Sequence, residues 1–140
     1  PGVSRGIAKA MREGLVSSTT MMVNTPHASE AAHQTAGLSI GLHLNLARWS
    51  SLARPRFIFV EADAGRLEEA FVIDEVEAQL DALERLIWRP ATHLDVHKHL
   101  HRHATILSAV ATVCGRRGVP VRSIGAEMRQ ALLARNVKTN

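Results

Sequence analysis

The chain contains 140 residues, 46% of them hydrophobic, which is enough to build the core of one domain and excludes a disordered tail. Lysine and arginine outnumber aspartate and glutamate by 17 to 13, but the excess is scattered, so we expect a solvated surface and no nucleic-acid partner. No run of about 18 apolar residues occurs, so we expect no membrane segment. The single cysteine, Cys114, excludes an internal disulfide and fits a reducing compartment, which predicts a cytoplasmic protein.

The first third of the chain predicts a helix, a strand and a second helix. Apolar residues recur at helical spacing from Val3 to Leu15, and Gly14 suits the end of that helix. Residues 17–23 are rich in Thr, Met and Val and predict a short strand. A second helix is expected over residues 28–36 and stops at Gly37.

A strand with two distinct faces is predicted after Gly37. Apolar residues alternate with small or polar ones from Leu38 to Leu46, and successive side chains of a strand point to opposite faces. His43 therefore lies opposite a leucine-rich face, between Gly41 and Asn45. It is near the carboxyl end of its strand, which is where α/β folds bind ligands.

Predicted helices and strands continue to alternate along the rest of the chain, after a long connection. Residues 47–72 show no clear period, apart from a short strand predicted over 57–60. Asp74 is expected to cap a helix that ends at Arg89-Pro90. The elements predicted after it are a strand at 92–101, a helix at 104–113, a strand at 119–124 and a helix at 126–134.

This order of elements predicts an α/β fold with parallel strands joined by crossover helices. A complete (β/α) barrel takes eight strands and about 250 residues. The pattern therefore leaves two architectures open, a small open sheet or an incomplete (β/α) TIM-like barrel, with residues 1–140 forming a single domain.

Five of the eight histidines lie between His93 and His103. On the predicted strand, alternation places one set of side chains on a single face: His93, Asp95, His97, His99 and His101. A sheet covered by helices turns such a face towards an interior or a cleft, where unpaired imidazoles are costly. The pattern favours a metal or catalytic site, and a structural cluster of hydrogen-bonded histidines is the alternative.

Two imidazoles and one carboxylate are a common ligand set for a catalytic divalent metal. Such a metal lowers the pKa of bound water and polarises a carbonyl group, as amide hydrolysis near neutral pH requires. His43 could meet the histidines of the later strand in space, although spacing alone does not show this.

Four segments resemble successive motifs of the YdjC-like carbohydrate deacetylases, in the order of that family. They are the segment 1–7, the segment 16–24, the Gly-Leu-His-Leu-Asn-Leu stretch 41–46 and the Pro-Ala-Thr-His-Leu-Asp-Val-His-Lys-His-Leu-His stretch 90–101. The last of these is the most specific. The matches cover most of the chain apart from residues 47–72.

The resemblance implies a (β/α)-barrel hydrolase that removes acetyl groups from N-acetylated sugars such as chitooligosaccharides. It implies one divalent metal ion, magnesium or zinc, bound by His43 and His97. In the family a further carboxylate comes from an Asp-Asp-Phe-Gly motif just ahead of the Pro-Gly with which this sequence begins. We therefore expect residues 1–140 to be a portion of a longer deacetylase barrel.

Other roles follow less directly. Asp95 is expected to act in proton transfer or to orient a metal-binding imidazole, with a structural hydrogen bond as the alternative. His99, His101 and Arg122 are candidate substrate contacts, although Arg122 is equally suited to a surface salt bridge. The expected partner is an N-acetylated oligosaccharide or sugar conjugate, and a homodimer is left open. Rival functions are a metal-dependent hydrolase of another substrate class and a non-catalytic metal-binding module.

Overall fold

The computed structural model of the protein describes residues 2–47 and 65–140. The helices and strands, in chain order, are α1 (Gly2–Arg12), β1 (Thr19–Met21), α2 (Ala28–Gln34), β2 (Ile40–Leu44), α3 (Glu69–Ile87), β3 (Leu94–Val96), a 3₁₀ segment (His97–Arg102), α4 (Ala104–Arg117) and α5 (Ala126–Leu133). No helix in these ranges is both long and apolar enough to span a bilayer.

The three strands form one parallel sheet in the order β1-β2-β3. Each strand pairs with the next one along the chain, and helices α2 and α3 make the crossovers. This confirms the predicted α/β class with parallel strands and crossover helices. Isolated parallel bridges join Leu94 to Val121 and Val121 to Thr139, so the same sequential order continues beyond β3.

The core lies between the sheet and the helices on its outer side. The alternate residues of β2, Ile40, Leu42 and Leu44, are completely buried, as predicted for the leucine face. Helices α3 and α4 pack against each other and contribute Leu80 and Val110 to the same core. Each fully buried side chain of this kind contributes about 1.5–3 kcal/mol to the free energy of unfolding. His43 is the only residue of β2 that is not fully buried, so the site faces away from this core.

The predicted strand over 92–101 is wrong for its second half. Only Leu94–Val96 is a strand, and the chain leaves the sheet at His97. Lys98 and His99 both adopt positive φ values, 54° and 53°, which residues other than glycine seldom adopt. The alternating pattern continues through this bend because Leu100 is buried by a turn instead of by a strand.

Other element boundaries also differ from the sequence prediction. Helix α3 begins at Glu69, with Asp74 exposed inside it, because Phe71 and Val72 extend its buried side by a turn. Residues 119–124 contribute only the bridge at Val121 instead of a strand. The strand predicted over 57–60 lies outside the described residues.

Helices α3 and α4 are joined by an ion-pair cluster centred on Arg117. Its guanidinium contacts Glu77 at 2.8 Å, Asp81 at 2.7 Å and Glu84 at 2.6 Å. The neighbouring Arg116 contacts only Glu77, at 3.0 Å, among the ion pairs described. The prediction that the basic residues form a simple solvated surface is therefore wrong at Arg117, whose side chain is only 23% exposed.

The Arg117→Ala variant is expected to lower the free energy of unfolding by about 1–2 kcal/mol, because three carboxylates lose a shared charge-assisted partner. The matched variant Arg116→Ala, which removes an exposed pair, should change it by less than about 0.5 kcal/mol. Urea denaturation measures both values. Equal effects of the two variants would show that the cluster adds nothing beyond an ordinary surface pair.

Candidate metal centre

The site is built first from a pair of residues on adjacent strands. His43 of β2 and Asp95 of β3 are registered partners, so their side chains lie side by side on the same face of the sheet. His43 Nδ1 lies 2.5 Å from Asp95 Oδ1. An ionised carboxylate only accepts hydrogen bonds, so Nδ1 of His43 carries a proton, and in the neutral ring this leaves the lone pair on Nε2.

Asp95 is held in its ionised form. Burial raises the pKa of its carboxyl, but the hydrogen bond and charge of His43 outweigh that effect, with help from Thr20 and Arg122, and the pKa lies below its ordinary value. Arg122 Nη1 lies 4.0 Å from Asp95 Oδ2. The charge on Asp95 thus favours the Nδ1-protonated form of His43 over the other tautomer.

His97 brings a second imidazole to the free nitrogen of His43. It is the first residue after β3, and its Nδ1 lies 3.2 Å from His43 Nε2, with the two ring planes inclined at 70°. Two nitrogens that bind one zinc ion at about 2.0–2.1 Å are 3.2 Å apart when the angle at the ion is roughly 100°, near the tetrahedral value. The nitrogen separation therefore fits two ligands of one cation as well as it fits a hydrogen bond.

The three residues predicted to contact the substrate lie in different surroundings. Arg122 is largely exposed, His99 is exposed on the bend after His97, and His101 is 1% exposed. His101 Nε2 donates a hydrogen bond to the Arg122 carbonyl at 3.2 Å. Burial lowers the pKa of His101, which keeps it neutral. A substrate contact by His99, His101 or Arg122 stays a prediction, and the contact that His101 makes here is with the backbone of Arg122.

His93 lies two residues before Asp95, on the same face of the sheet as the His43–Asp95 pair. It immediately precedes β3, and its ring packs over Gly41, with Nδ1 2.8 Å from the Thr92 hydroxyl. The prediction of one straight row from residue 93 to residue 101 is therefore wrong. His93 and Asp95 lie two residues apart and point to the same face of the sheet. The chain leaves the sheet at His97, so the later histidines do not continue that row.

Gly41 is required by this packing. A Cβ atom there would overlap the carbonyl oxygen of His93 and lie 2.8 Å from the Cγ and Nδ1 atoms of its ring. That carbonyl already accepts a hydrogen bond from the Leu42 amide at 2.8 Å, so it cannot move without breaking the strand pairing.

The Gly41→Ala variant is expected to lower the free energy of unfolding by about 2–3 kcal/mol, because overpacking a rigid backbone contact forces the strands apart. Chemical denaturation measures the change. The matched variant Gly6→Ala lies in α1, where an added Cβ meets nothing within 4 Å, and should be neutral or slightly stabilising. A Gly41→Ala protein as stable as the wild type would contradict the close approach.

A model of the family described as YdjC-like protein matches residues 1–140, the whole of the sequence. The chain belongs to the YdjC-like family.

Relatives of this YdjC-like chain include proteins named chitooligosaccharide deacetylase. The protein from Serratia marcescens is 33% identical over 95% of this chain and 58% of its own length. The protein from Yersinia pestis is 32% identical over 92% of this chain and 56% of its own length. The chain thus spans a little more than half the length of these curated relatives.

A solved structure shares the fold. It is a protein from Enterococcus faecalis V583 described as a cellobiose-phosphate cleavage protein. Its TM-score with this YdjC-like chain is 0.78 at 25% sequence identity, and the match covers 99% of this chain and 61% of that one.

The YdjC-like chain also places beside His43 a residue that the sequence analysis did not single out. Thr20 of β1 places its hydroxyl oxygen 3.5 Å from His43 Nδ1. No sequence signal separated it from the neighbouring threonine, because its contact with His43 depends on strand register. Within residues 2–47 and 65–140, no group of three His, Cys, Asp or Glu side chains is arranged to hold a metal ion. Among these residues, the candidate centre consists of the two imidazoles and their supporting partners.

A buried polar network lies just beyond the candidate centre. Gln79 of α3 accepts a hydrogen bond from the Asn45 amide at 3.1 Å and donates to the Asn45 carbonyl at 2.9 Å. Asn45 also exchanges hydrogen bonds with Asn24, and Gln79 donates to the fully buried Glu75. The sequence signal for this network was the presence of two polar residues, Glu75 and Gln79, on the apolar side of the predicted helix. The network ties the ends of β1 and β2 to α3.

Cys114 is not a candidate nucleophile. The thiol is buried in α4, and burial, followed by the charge of Glu77, raises its pKa to about 12. A thiol in this state stays protonated and unreactive at neutral pH.

Proposed function

We propose that the chain forms part of a metal-dependent carbohydrate deacetylase that hydrolyses the acetamido group of N-acetylated sugars, chitooligosaccharides first among them. The observation that carries this proposal is the facing pair of imidazole nitrogens of His43 and His97, with the second nitrogen of His43 bonded to Asp95. Metal-binding histidines commonly donate their other N–H to a carboxylate in this way. The names of the deacetylase relatives supply the substrate class.

The fold supports the same proposal. Sequential parallel pairing from β1 through the bridges at Val121 and Thr139 is the order expected for an arc of a (β/α) barrel. His43, Asp95 and His97 lie at or just beyond the carboxyl ends of their strands, which is where barrel enzymes carry their active sites. We propose that the chain is such an arc.

His43 and His97 would hold one divalent ion, and their nitrogen ligands favour zinc over magnesium. When bound, such an ion polarises the acetamido carbonyl and supplies hydroxide at neutral pH. Asp95 keeps His43 protonated on Nδ1, so that Nε2 remains available as a ligand. Arg122, largely exposed and 4.0 Å from Asp95, would hold a sugar or carbonyl oxygen in this proposal.

Acetate release tests the function. The protein is incubated with N-acetylated chitooligosaccharides after removal of metal, and again after zinc or magnesium is restored. We expect acetate release that depends on the added metal. Tight zinc binding without any release of acetate would instead indicate a non-catalytic metal-binding module.

A second candidate is hydrolysis of a phosphorylated disaccharide. It is favoured by the structural likeness to the protein described for cellobiose-phosphate cleavage and by two exposed cations, Lys98 next to His97 and Arg122 at 4.0 Å from Asp95. Incubation with cellobiose phosphate, followed by analysis of the sugar products, separates the two. Glycosidic cleavage without acetate release from N-acetylated sugars would favour this candidate.

A further inference from the structure

We propose that a cleft at the start of α5, which we call the α5 cleft, binds a sugar ring through its hydroxyl groups and receives a second sugar of the oligosaccharide. It is lined mainly by His101, Arg102, Leu107 and residues 124–128, and its volume is about 500 Å³. Ligand pockets usually measure about 300–1,000 Å³. The assignment of a second sugar rests on the proposed deacetylase function, because that function supplies a chain of linked sugars.

The α5 cleft follows two neighbouring positions of the sheet. His101 and Arg102 come after β3, and residues 124–128 come after Val121, which is bridged to Leu94 of β3. The loops after the carboxyl ends of parallel strands are where α/β folds bind ligands. The cleft also adjoins the candidate centre, because His101 is bonded to the backbone of Arg122, the residue whose side chain lies 4.0 Å from Asp95.

His101 brings an unsatisfied acceptor to the α5 cleft. Its Nε2 atom donates to the Arg122 carbonyl at 3.2 Å, and in the neutral ring this leaves the lone pair on Nδ1, on the opposite side of the ring. His101 is only 1% exposed, and Nδ1 has no hydrogen-bond partner within residues 2–47 and 65–140. A buried acceptor without a partner costs free energy, which a donor from a bound ligand would recover.

The first turn of α5 brings backbone donors to the same cleft. The internal hydrogen bonds of the helix begin with the Arg129 amide, which donates to the Gly125 carbonyl at 3.0 Å. The amides of residues 126–128 therefore have no partner inside the helix, and Gly125 has no side chain to cap them. Oxygen acceptors of a ligand would satisfy these amides.

The polar lining combines donors with acceptors. Arg102 and the amides of residues 126–128 donate hydrogen bonds, whereas Glu127 and Nδ1 of His101 accept them. A phosphate dianion offers acceptors alone, so the lone pair of Nδ1 gives it no bond and the carboxylate of Glu127 repels it. A hydroxyl group both donates and accepts, so it suits both kinds of partner.

The remaining lining is apolar. Leu107, Ile124 and Met128 contribute side chains without hydrogen-bonding hydrogens. A sugar ring presents C–H groups on its faces and hydroxyl groups at its edge, so it can cover these side chains while its hydroxyls meet the polar groups. The α5 cleft therefore fits a neutral sugar better than an anion.

Position 125 offers a matched pair of variants. A Cβ atom added at Gly125 would meet nothing within 4 Å, so both serine and alanine fit there. Serine is a preferred helix cap, and its hydroxyl oxygen accepts from the first-turn amides and competes with a ligand for them. Alanine adds the same Cβ atom without that oxygen. N,N′-diacetylchitobiose is titrated into the metal-free full chain, and amide NMR of residues 126–128 follows its binding.

We expect the sugar to shift the amide signals of residues 126–128 in the wild type. Gly125→Ser should bind it about fivefold more weakly, although its fold is at least as stable, and Gly125→Ala should stay within about twofold of wild type. Equal affinities of the serine and alanine variants would overturn the inference, because the amides would then not contact the sugar.

The His101→Gln variant tests the acceptor. Its side-chain N–H can still donate to the Arg122 carbonyl, but it has no group in place of Nδ1. We expect it to bind the disaccharide about tenfold more weakly, while His33→Gln, the same change on the exposed surface of α2, binds normally. Wild-type affinity in His101→Gln would contradict the role of Nδ1. Should this variant fail to fold, the pair at position 125 decides.

Inorganic phosphate tests the competing ligand class. It should leave the amide signals of residues 126–128 unchanged, and shifts caused by phosphate but not by the disaccharide would overturn the inference in favour of an anion site. For the second sugar, the wild type should deacetylate the disaccharide with a higher kcat/KM than N-acetylglucosamine, and Gly125→Ser should reduce that preference. An unchanged preference in Gly125→Ser would overturn the assignment of a second sugar.

The inference and the proposed function fail in different ways. If the wild type releases acetate but the disaccharide leaves the cleft amides unchanged, the function stands and the α5 cleft is not a sugar site. If the disaccharide shifts those amides but no acetate is released with any added metal, the deacetylase function and the second-sugar role are wrong, and the cleft remains a sugar-binding site.

Discussion

The His97→Ala protein is expected to lose more than about 100-fold in zinc affinity, beyond the loss seen when an outer partner of a ligand is removed. His43→Ala should lose as much, because the facing nitrogens of the two rings, 3.2 Å apart, would bind the same ion. Acetate release from N-acetylated sugars should fall in parallel. Zinc titration of the purified variants measures the affinity directly.

The double variant of His43 and His97 makes this test sharper. Two ligands of one ion act as a unit, so the double variant should lose little more affinity than either single one. Lys98→Ala, next in the chain to His97, and His33→Ala, on the exposed surface of α2, are the controls and should bind zinc normally. Losses that multiply, or an effect of Lys98→Ala as large as that of His97→Ala, would contradict a shared ion.

The Asp95→Asn variant is expected to bind zinc about 10–100-fold more weakly, with a comparable fall in activity. An amide has nearly the size of the carboxylate, but it lacks the charge and can present its own N–H groups to His43 Nδ1. That arrangement favours the His43 tautomer with its proton on Nε2, which cannot bind a metal.

The matched control is Asp74→Asn, the same chemical change at an exposed position of α3. Zinc affinity and thermal stability are measured for both variants. Asp74→Asn should match the wild type in both respects. If Asp95→Asn kept full zinc affinity, the carboxylate would have no orienting role, and the short contact with His43 would serve the fold alone.

Local sequence patterns predicted part of the candidate centre. Alternation along 38–46 placed His43 opposite a buried leucine face, and the structure has that arrangement. The concentration of histidines around Asp95 and His97 marked the second half of the centre. These are statements about single segments, for which periodicity is sufficient. Metal binding by His43 and His97 stays a prediction.

The same alternation misled beyond Val96. Leu100 is apolar and lies at the position where a strand would bury it, but it is buried by a 3₁₀ turn that Lys98 and His99 enter with positive φ. A pattern of period two does not distinguish a continuing strand from a turn that buries the same residue. His101 consequently bonds the Arg122 backbone inside the protein, where a continuous strand would have aligned it with His97.

The sequence by itself determined the α/β class, the parallel direction of its strands and the polar face that carries His43. It also determined the helices α1 to α5, with the largest error at the start of α3, which begins at Glu69 and not at Asp74. These features depend on the spacing of apolar side chains within one segment. Only the tertiary structure decided that Asp95 bonds His43, that His97 meets the other nitrogen of the same ring, and that Thr20 lies beside them. Those contacts join residues 23 to 54 positions apart, and they depend on strand register and backbone turns that local periodicity does not encode.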